Sequence, residues 1–273
     1  MTNIHPLAYV EDGAQVGKNV IIEPFAVVKK GVSLGDNVVV KSHAYLDGYT
    51  TIGDGTTIYP SASIGTKTQA KLYNGEKTYV KIGKNCEIRE FVTINSSYEE
   101  GSTVEIGDNC LIMAYCHIAH HCKLGKNVIM ANSAMLAGHV TVEDNVNIGG
   151  MTPIHQHVKI GAHSMVGGLS RITQDIPPFT IGAGIPYKLA GLNIIGLKRS
   201  NISIEVRSAL TKAFKITYRS GLYLKDALRK IDNELEKNSY IQHWIRFCST
   251  SKRGLIDHFP DPALSKTRPT SVC

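Results

Sequence analysis

The 273 residues carry a formal net charge of +7, with 42% hydrophobic and only 7% aromatic side chains. No apolar run approaches the roughly 18 residues of a membrane span, and no basic segment followed by an apolar stretch opens the chain, so a non-spanning cytoplasmic protein is expected and its cysteines are read as reduced thiols. The charge is uneven, residues 1–197 summing to −1 and residues 198–273 to +8, which marks a basic C-terminal module suited to an acidic partner; nucleic acid is the weaker reading, because no zinc-finger, ribonucleoprotein or basic-zipper pattern is present.

In chain order, the first signal is a period of six. Stepping by six from Ile4 to Ile172 meets an aliphatic residue or Met at 26 of 29 positions, the exceptions being Ala70, Glu76 and Glu100. Such a period is too short for a helical repeat but fits one short strand plus a corner, and stacked triangular coils would pair as parallel strands about 4.8 Å apart. The fold class read from it is mainly β, a hexapeptide-repeat parallel β-helix over residues 1–190. Cys86, Cys110, Cys116 and Cys122 all fall two positions before the aliphatic residue, an inward packing slot. The stretches 66–80 and 96–104 keep the count but lose the aliphatic residue, so they are expected to project as loops. At "QDIPPFTIGAGIP" prolines and glycines are expected to stop the pairing.

Beyond it the period becomes helical, giving a basic α-helical domain over residues 191–256. Its first helix is capped by Ser203, repeats Val206, Leu210, Phe214 and Tyr218, and ends at Gly221. Two more are expected within "LYLKDALRKIDNELEKN" and "SYIQHWIRFCST", and residues 257–273 are read as a flexible tail.

The histidines of "CHIAHHCKLGKNVIMANSAMLAGHV" raise the question of chemistry. His121, His139 and His157 recur at a spacing of 18 residues, which places them in one corner column on successive coils. They could form a stacking ladder, as could His163, but they are a poor cage for one metal ion, because first- and third-coil rings start nearly ~10 Å apart. His120, one residue before the column, is the candidate general base, since an imidazole near neutrality can take a proton from a hydroxyl.

"AHHCKLGKNVIMANSAMLAGHV", "IGGMTPIHQ", "IGAHSMVGGLS", "QDIPPF" and "GLNIIGLKRS" closely resemble the bacterial UDP-N-acetylglucosamine O-acyltransferases that start lipid A biosynthesis. The likeness runs from the first hexad to about residue 256. It implies a left-handed β-helix, a homotrimer, and transfer of a long-chain, commonly 3-hydroxy, acyl group from acyl carrier protein to the sugar's 3-hydroxyl, with no cofactor and no metal. By resemblance His120 is the base and the Gly138 backbone N–H the oxyanion donor. His117 and His139 line the cleft, His155 and Gln156 contact substrate, and Gln69 belongs to the first loop's sugar-binding run. Gly168 matches the position that sets acyl length, and Asn193 and Arg199 match residues reaching uridine and phosphate from a neighbouring subunit. Gly168 as a packing glycine and Asn193 as an organiser of the helical connection stay open. The basic helices would meet acidic acyl carrier protein, or be a solvated face.

The departures are specific. His121 stands where the family often has an Asp that would orient the base, so the orienting group is undetermined. Ala70, Lys71 and Leu72 replace an Asp-Leu-Lys run, Asn95 a frequent His, and Ile195 a Glu. Rival readings are acylation of a 3-amino sugar nucleotide, a zinc-dependent β-helical enzyme of the carbonic anhydrase kind, and a non-enzymatic scaffold. A related N-acyltransferase is disfavoured because the hexads begin at Ile4.

Overall fold

A computed structural model describes residues 1–259 of the chain. Residues 3–192 wind as a left-handed β-helix with three faces. The first face stacks 11 strands beginning with Asn3–Ile4, and the second and third stack 8 each, beginning with Tyr9–Val10 and Gln15–Val16. Pairing is parallel throughout except for the final hairpin, Thr180–Ala183 with Lys188–Leu192.

The six-residue period exists because each hexad buries the same two side chains. On the second face Leu46, Ile64, Ile94, Ile118 and Leu136 are 0% exposed, as are the small residues two before them: Ala44, Ala62, Val92, Cys116 and Ala134. Each fully buried aliphatic side chain contributes roughly 1.5–3 kcal/mol, so coil after coil adds the same increment. The repeat cysteines occupy the inward slot, and Cys116 and Cys122 direct their Sγ–H groups to Ala131 and Ala137 carbonyls at 3.2 and 3.1 Å. Burial pushes the Cys116 thiol up to about 11 and Cys122 up to about 12, which keeps both unreactive.

After the first corner, the turns pass through residues of positive φ, and they meet that demand differently. Where the third face meets the first, the residue is mostly asparagine (Asn19, Asn37, Asn85, Asn109, Asn127 and Asn145, with Gly55 and His163 in the other coils), whose short amide tolerates the left-handed region and bonds from coil to coil, as in Asn127 to Asn145 at 3.1 Å. Where the first meets the second, it is Phe25, His43, Ser61, Phe91, Tyr115, Ser133, Met151 and Leu169, and Phe91 stacks on Tyr115 with centroids 5.0 Å apart. Where the second meets the third, Gly13 and Gly31 give way to His121, His139 and His157 at φ 58°, 61° and 64°.

Two excursions break the winding. They occupy residues 67–78 and 96–102, narrower than expected, because Tyr79–Val80 and Thr103–Val104 pair in register as third-face strands with both valines buried. The excursions hold each other: Ser96 N–H donates to Thr66 O at 2.8 Å, Gly101 N–H to Lys77 O at 2.9 Å, and Lys77 N–H to the Glu100 carboxylate at 2.8 Å.

Pairing also continues past Ile172, contrary to the expected stop. The hexads merely shorten: Ile154 bridges Ile172, Ile160 bridges Ile176, and Thr180–Ala183 adds a further parallel strand beside Met165–Val166. The prolines sit at the turn, where Pro177 O accepts from the Ser164 and Thr180 hydroxyls.

Four helices follow, α1 (Ile194–Arg199), α2 (Ile204–Arg219), α3 (Leu224–Glu234) and α4 (Ser239–Ser249). Ser203 caps α2 through the Val206 N–H, whereas α1 was not foreseen and is capped by Asn193. Leu210, Phe214, Leu228, Ile231 and Trp244 form the helical core, and the fully buried Trp244 indole N–H donates to Thr217 Oγ1 at 3.1 Å. The helices are tied to the β-helix by His243 Nε2 to Glu143 at 2.7 Å and by Ser251 Oγ to the buried Asp175 at 2.7 Å. Of the tail expected at 257–273, Asp257 and Phe259 hydrogen-bond both sides of Leu189, and residues 260–273 lie outside the described residues. Among the described residues no helix is long and apolar enough to cross a membrane.

Candidate active site

The second-face strand His117–Ile118 sends Ile118 inward and His117 outward, and the corner that follows carries His120 and His121. His117 Nδ1 lies 2.7 Å from Thr93 Oγ1 on the neighbouring coil. His120 lies directly over Gly138, one coil further along. A Cβ at position 138 would sit 2.5 Å from His120 Nε2 and 2.7 Å from Nδ1, so the close approach of the ring, not the backbone angle, requires glycine there. The Gly138 carbonyl accepts from His157 N–H at 3.1 Å, and no acceptor for the buried Gly138 N–H is found among the described residues.

The corner histidines stack as the spacing implied. His121 and His139 lie 4.3 Å apart with ring planes 9° apart, and His139 and His157 lie 4.5 Å apart at 19°. The 96–102 excursion covers them. Ser97 Oγ accepts the His121 N–H at 2.9 Å, the Tyr98 ring packs 4.9 Å from His120 and 4.6 Å from His121, and the Tyr98 hydroxyl is 3.1 Å from His139 Nε2. His120 Nδ1 is 3.1 Å from His121 Nδ1, and His121 Nε2 is 3.6 Å from the Glu99 carboxylate. Sequence reasoning missed Ser97, Tyr98 and Glu99; the only signal was an aromatic residue in a projecting loop.

Burial, reinforced by the neighbouring imidazoles of His121, His139 and His157 and opposed by Glu99, lowers His120 to about 4. Burial likewise lowers His117, His121 and His139. The cluster is therefore neutral at pH 7, the form in which an imidazole accepts a proton.

A metal fits this cluster poorly. Ligand atoms of His120, His121 and His139 lie within 4.8 Å of one another. Zinc, however, needs each nitrogen about 2.0–2.1 Å away along an in-plane lone pair. The near-parallel rings of His121 and His139 aim their lone pairs side by side instead of at a common point.

The remaining expected residues are spread around the prism. Gln156 occupies the coil below Gly138, and His155 is exposed with Nδ1 3.2 Å from Gln156 O. Gln69 is exposed on the first excursion and has no hydrogen bond to the histidines. Gly168 lies at the edge between the first and second faces, beside exposed Met151 and Leu169; exposed Met135 and Pro153 lie between that edge and His120. Asn193 and Arg199 lie at the asparagine corner, lining a cavity of about 200 Å³ with Asn127, Asn145 and His163. The Asn193 amide is engaged on both sides, accepting from Gly196 N–H at 3.1 Å and donating to His163 O at 2.9 Å, whereas Arg199 is exposed. One chain thus puts the candidate base His120 on one corner and Arg199 on another.

Comparison with known proteins gives the arrangement its context. Residues 175–256 match the family model described as Udp N-acetylglucosamine O-acyltransferase, Domain 2, and residues 13–48 and 103–138 match bacterial transferase hexapeptide repeats. The acyl-[acyl-carrier-protein]-UDP-N-acetylglucosamine O-acyltransferase of Chlamydia muridarum is 61% identical over 256 residues, covering 93% of this chain and 91% of that protein. Its Chlamydia caviae counterpart is 57% identical, covering 93% and 92%. Among solved structures, a UDP-N-acetylglucosamine acyltransferase from Campylobacter jejuni superposes with a TM-score of 0.88 at 41% identity, covering 94% of this chain and 100% of that one. One from Bacteroides fragilis gives 0.89 at 37% identity, covering 92% and 99%.

Proposed function

This chain belongs to the UDP-N-acetylglucosamine O-acyltransferase family, and from that premise we propose how its residues transfer a fatty acyl group from acyl carrier protein to the 3-hydroxyl of UDP-N-acetylglucosamine, the first step of lipid A biosynthesis. The observation that carries the reading is the seating of the His120 imidazole on Gly138, which puts a neutral base beside an N–H without a protein acceptor. A sugar hydroxyl is a poor nucleophile and the donor thioester an activated acyl group. As the hydroxyl oxygen bonds to the thioester carbon, His120 Nε2 takes its proton. The carbonyl oxygen becomes an oxyanion, and the Gly138 N–H donates to it. Collapse of the intermediate breaks the C–S bond, and the carrier's thiol leaves with the proton returned by His120.

The acyl chain runs along the apolar outer side of the second face, past Met135 and Pro153 toward Met151 and Leu169, with Gly168 leaving its far end open. His117 and His139 flank the reacting centre, and His155, Gln156 and Gln69 contact the sugar. Arg199 suits the diphosphate because its planar fork binds phosphate oxygens bidentately; Asn193 holds the helix that presents it. Since Arg199 is on another corner of its own chain, it serves the site of a neighbouring copy, and the protein works as a homotrimer. The column of exposed Phe25, Phe91, Tyr115, Met151 and Leu169 supports such an assembly, as apolar surface that a partner copy covers. The basic helical domain receives acidic acyl carrier protein in the cytoplasm.

The test is an acyl-transfer assay with UDP-N-acetylglucosamine and a panel of saturated and 3-hydroxy acyl carrier proteins, read by product mass. The parent protein is expected to give an O-acyl ester and His120→Ala almost none, a loss of about 10²–10⁴-fold. A His120→Ala protein that assembles normally and transfers at the parental rate would sink the assigned base.

A further inference from the structure

His120 can accept a proton at Nε2 only if its Nδ1 carries hydrogen, and that hydrogen points at His121 Nδ1, 3.1 Å away. His121 Nδ1 must then be the acceptor, which puts the His121 proton on Nε2. That Nε2 is buried, has no hydrogen-bond partner, and stands 3.6 Å from a Glu99 carboxylate oxygen. With His120 Nε2 as the base, these contacts set the tautomers in sequence, from carboxylate to outer imidazole to inner imidazole.

We propose that Glu99 and His121 form a relay of positioning residues that orients His120 and stabilises its imidazolium, with the carboxylate acting through an intervening imidazole. This rests on the reading of His120 as the base. No proton leaves the pair: as His120 Nε2 gains the substrate's proton, its Nδ1–H bond to His121 strengthens and the His121 Nε2–H turns its positive edge to Glu99. Of the groups acting on His120, charge on His139 or His157 opposes its imidazolium and the Glu99 carboxylate favours it, while a neutral His121 accepts its Nδ1–H. Tyr98 packs against both relay rings.

The turn that carries the Glu99 side chain is anchored through its backbone carbonyl. Glu99 O accepts both the Ser102 hydroxyl at 2.5 Å and the Ser102 N–H at 3.0 Å, and two residues earlier Ser97 accepts the His121 N–H at 2.9 Å. The backbone of His121 and the turn bearing Glu99 are therefore parts of one hydrogen-bonded unit. The side chain of Glu99 is 62% exposed, so removing its charge disturbs no packing.

The experiment compares the parent, Glu99→Gln, His121→Asp and the double variant in the same transfer assay, with kcat, KM for the sugar nucleotide, the pH profile of kcat/KM and the melting midpoint read for each. Glu99→Gln is expected to lower kcat about 10-fold, less than removal of a carboxylate bonded directly to a catalytic histidine, with KM and melting midpoint unchanged and the acid limb displaced downward. His121→Asp brings a carboxylate straight to His120 and should stay active, and adding Glu99→Gln to it should cost nothing more. If His121→Asp does not assemble, His121→Phe cuts the same link, and Glu99→Gln must be silent in that background. Parental kcat in Glu99→Gln, equal losses with and without His121, or a loss confined to KM or accompanied by a lower melting midpoint each overturns the relay. No transfer by the parent protein overturns the underlying reading instead.

Discussion

Replacing Gly138 with alanine adds a single methyl group where the structure has no room for it. The new Cβ would lie 2.5 Å from His120 Nε2 and 2.7 Å from Nδ1. His120 Cε1 would lie closer still, and ordinary contact needs about 3.5–4.0 Å, so the ring must retreat by well over about 1 Å. A misplacement of about 1 Å at a reacting group costs on the order of 100-fold, or about 2.7 kcal/mol of transition-state stabilisation. Since φ at position 138 lies outside the left-handed region, alanine is tolerated by the backbone, and the displaced ring lies at a corner. The expected signature is kcat down about 100-fold, KM for the sugar nucleotide within about threefold because Arg199 is on another corner, and a melting midpoint within a few degrees. Steady-state kinetics and calorimetry read all of these. In a His120→Ala background the same substitution should add no further loss, because the ring it displaces is gone. A Gly138→Ala enzyme retaining kcat within about fivefold would refute the argument that the ring's seat on Gly138 sets catalytic geometry.

Three further expectations follow from the same geometry. His117, His120, His121, His139 and His163 are all lowered by burial, so the folded state favours their neutral forms. Stability should be full above about pH 6.5 and fall from there toward about 4 as the unfolded chain binds protons the folded chain refuses; a flat melting midpoint between pH 6.5 and 5 would contradict this. Trimers mixed from inactive His120→Ala and weakly binding Arg199→Ala subunits, co-expressed with different tags, should regain kcat/KM at subsaturating sugar nucleotide, because one interface pairs native His120 with a neighbour's native Arg199; activity no better than the mean of the two parents would argue for sites within single chains. Gly168→Met should shift product mass toward shorter acyl chains, and an unchanged product profile would make Gly168 a packing glycine only.

The β-helix, the inward cysteines and the histidine column were legible in the residues because they all derive from one local interaction repeated at a fixed period. A pattern of six that buries an aliphatic and a small residue per turn has one economical solution, and a spacing of 18 then places His121, His139 and His157 on a single corner. Departures from the period carried no such information. The shortened hexads after Ile172 look like a stop in sequence, yet parallel pairing persists because the bridges need only Ile172 and Ile176 in place. Glu99 and His121 are 22 positions apart and follow no rhythm; they meet because backbone bonds from Ser96, Gly101 and Lys77 fold one excursion against the other. Asn193 leaves a ligand-binding and an organising role open in sequence, and the fold adds that its amide caps α1 and bonds His163 O. The sequence by itself determined the scaffold and the candidate base, since periodic burial is encoded locally. Only the tertiary structure decided which carboxylate faces that base and which corner each binding group occupies, because those depend on where non-periodic segments come to rest.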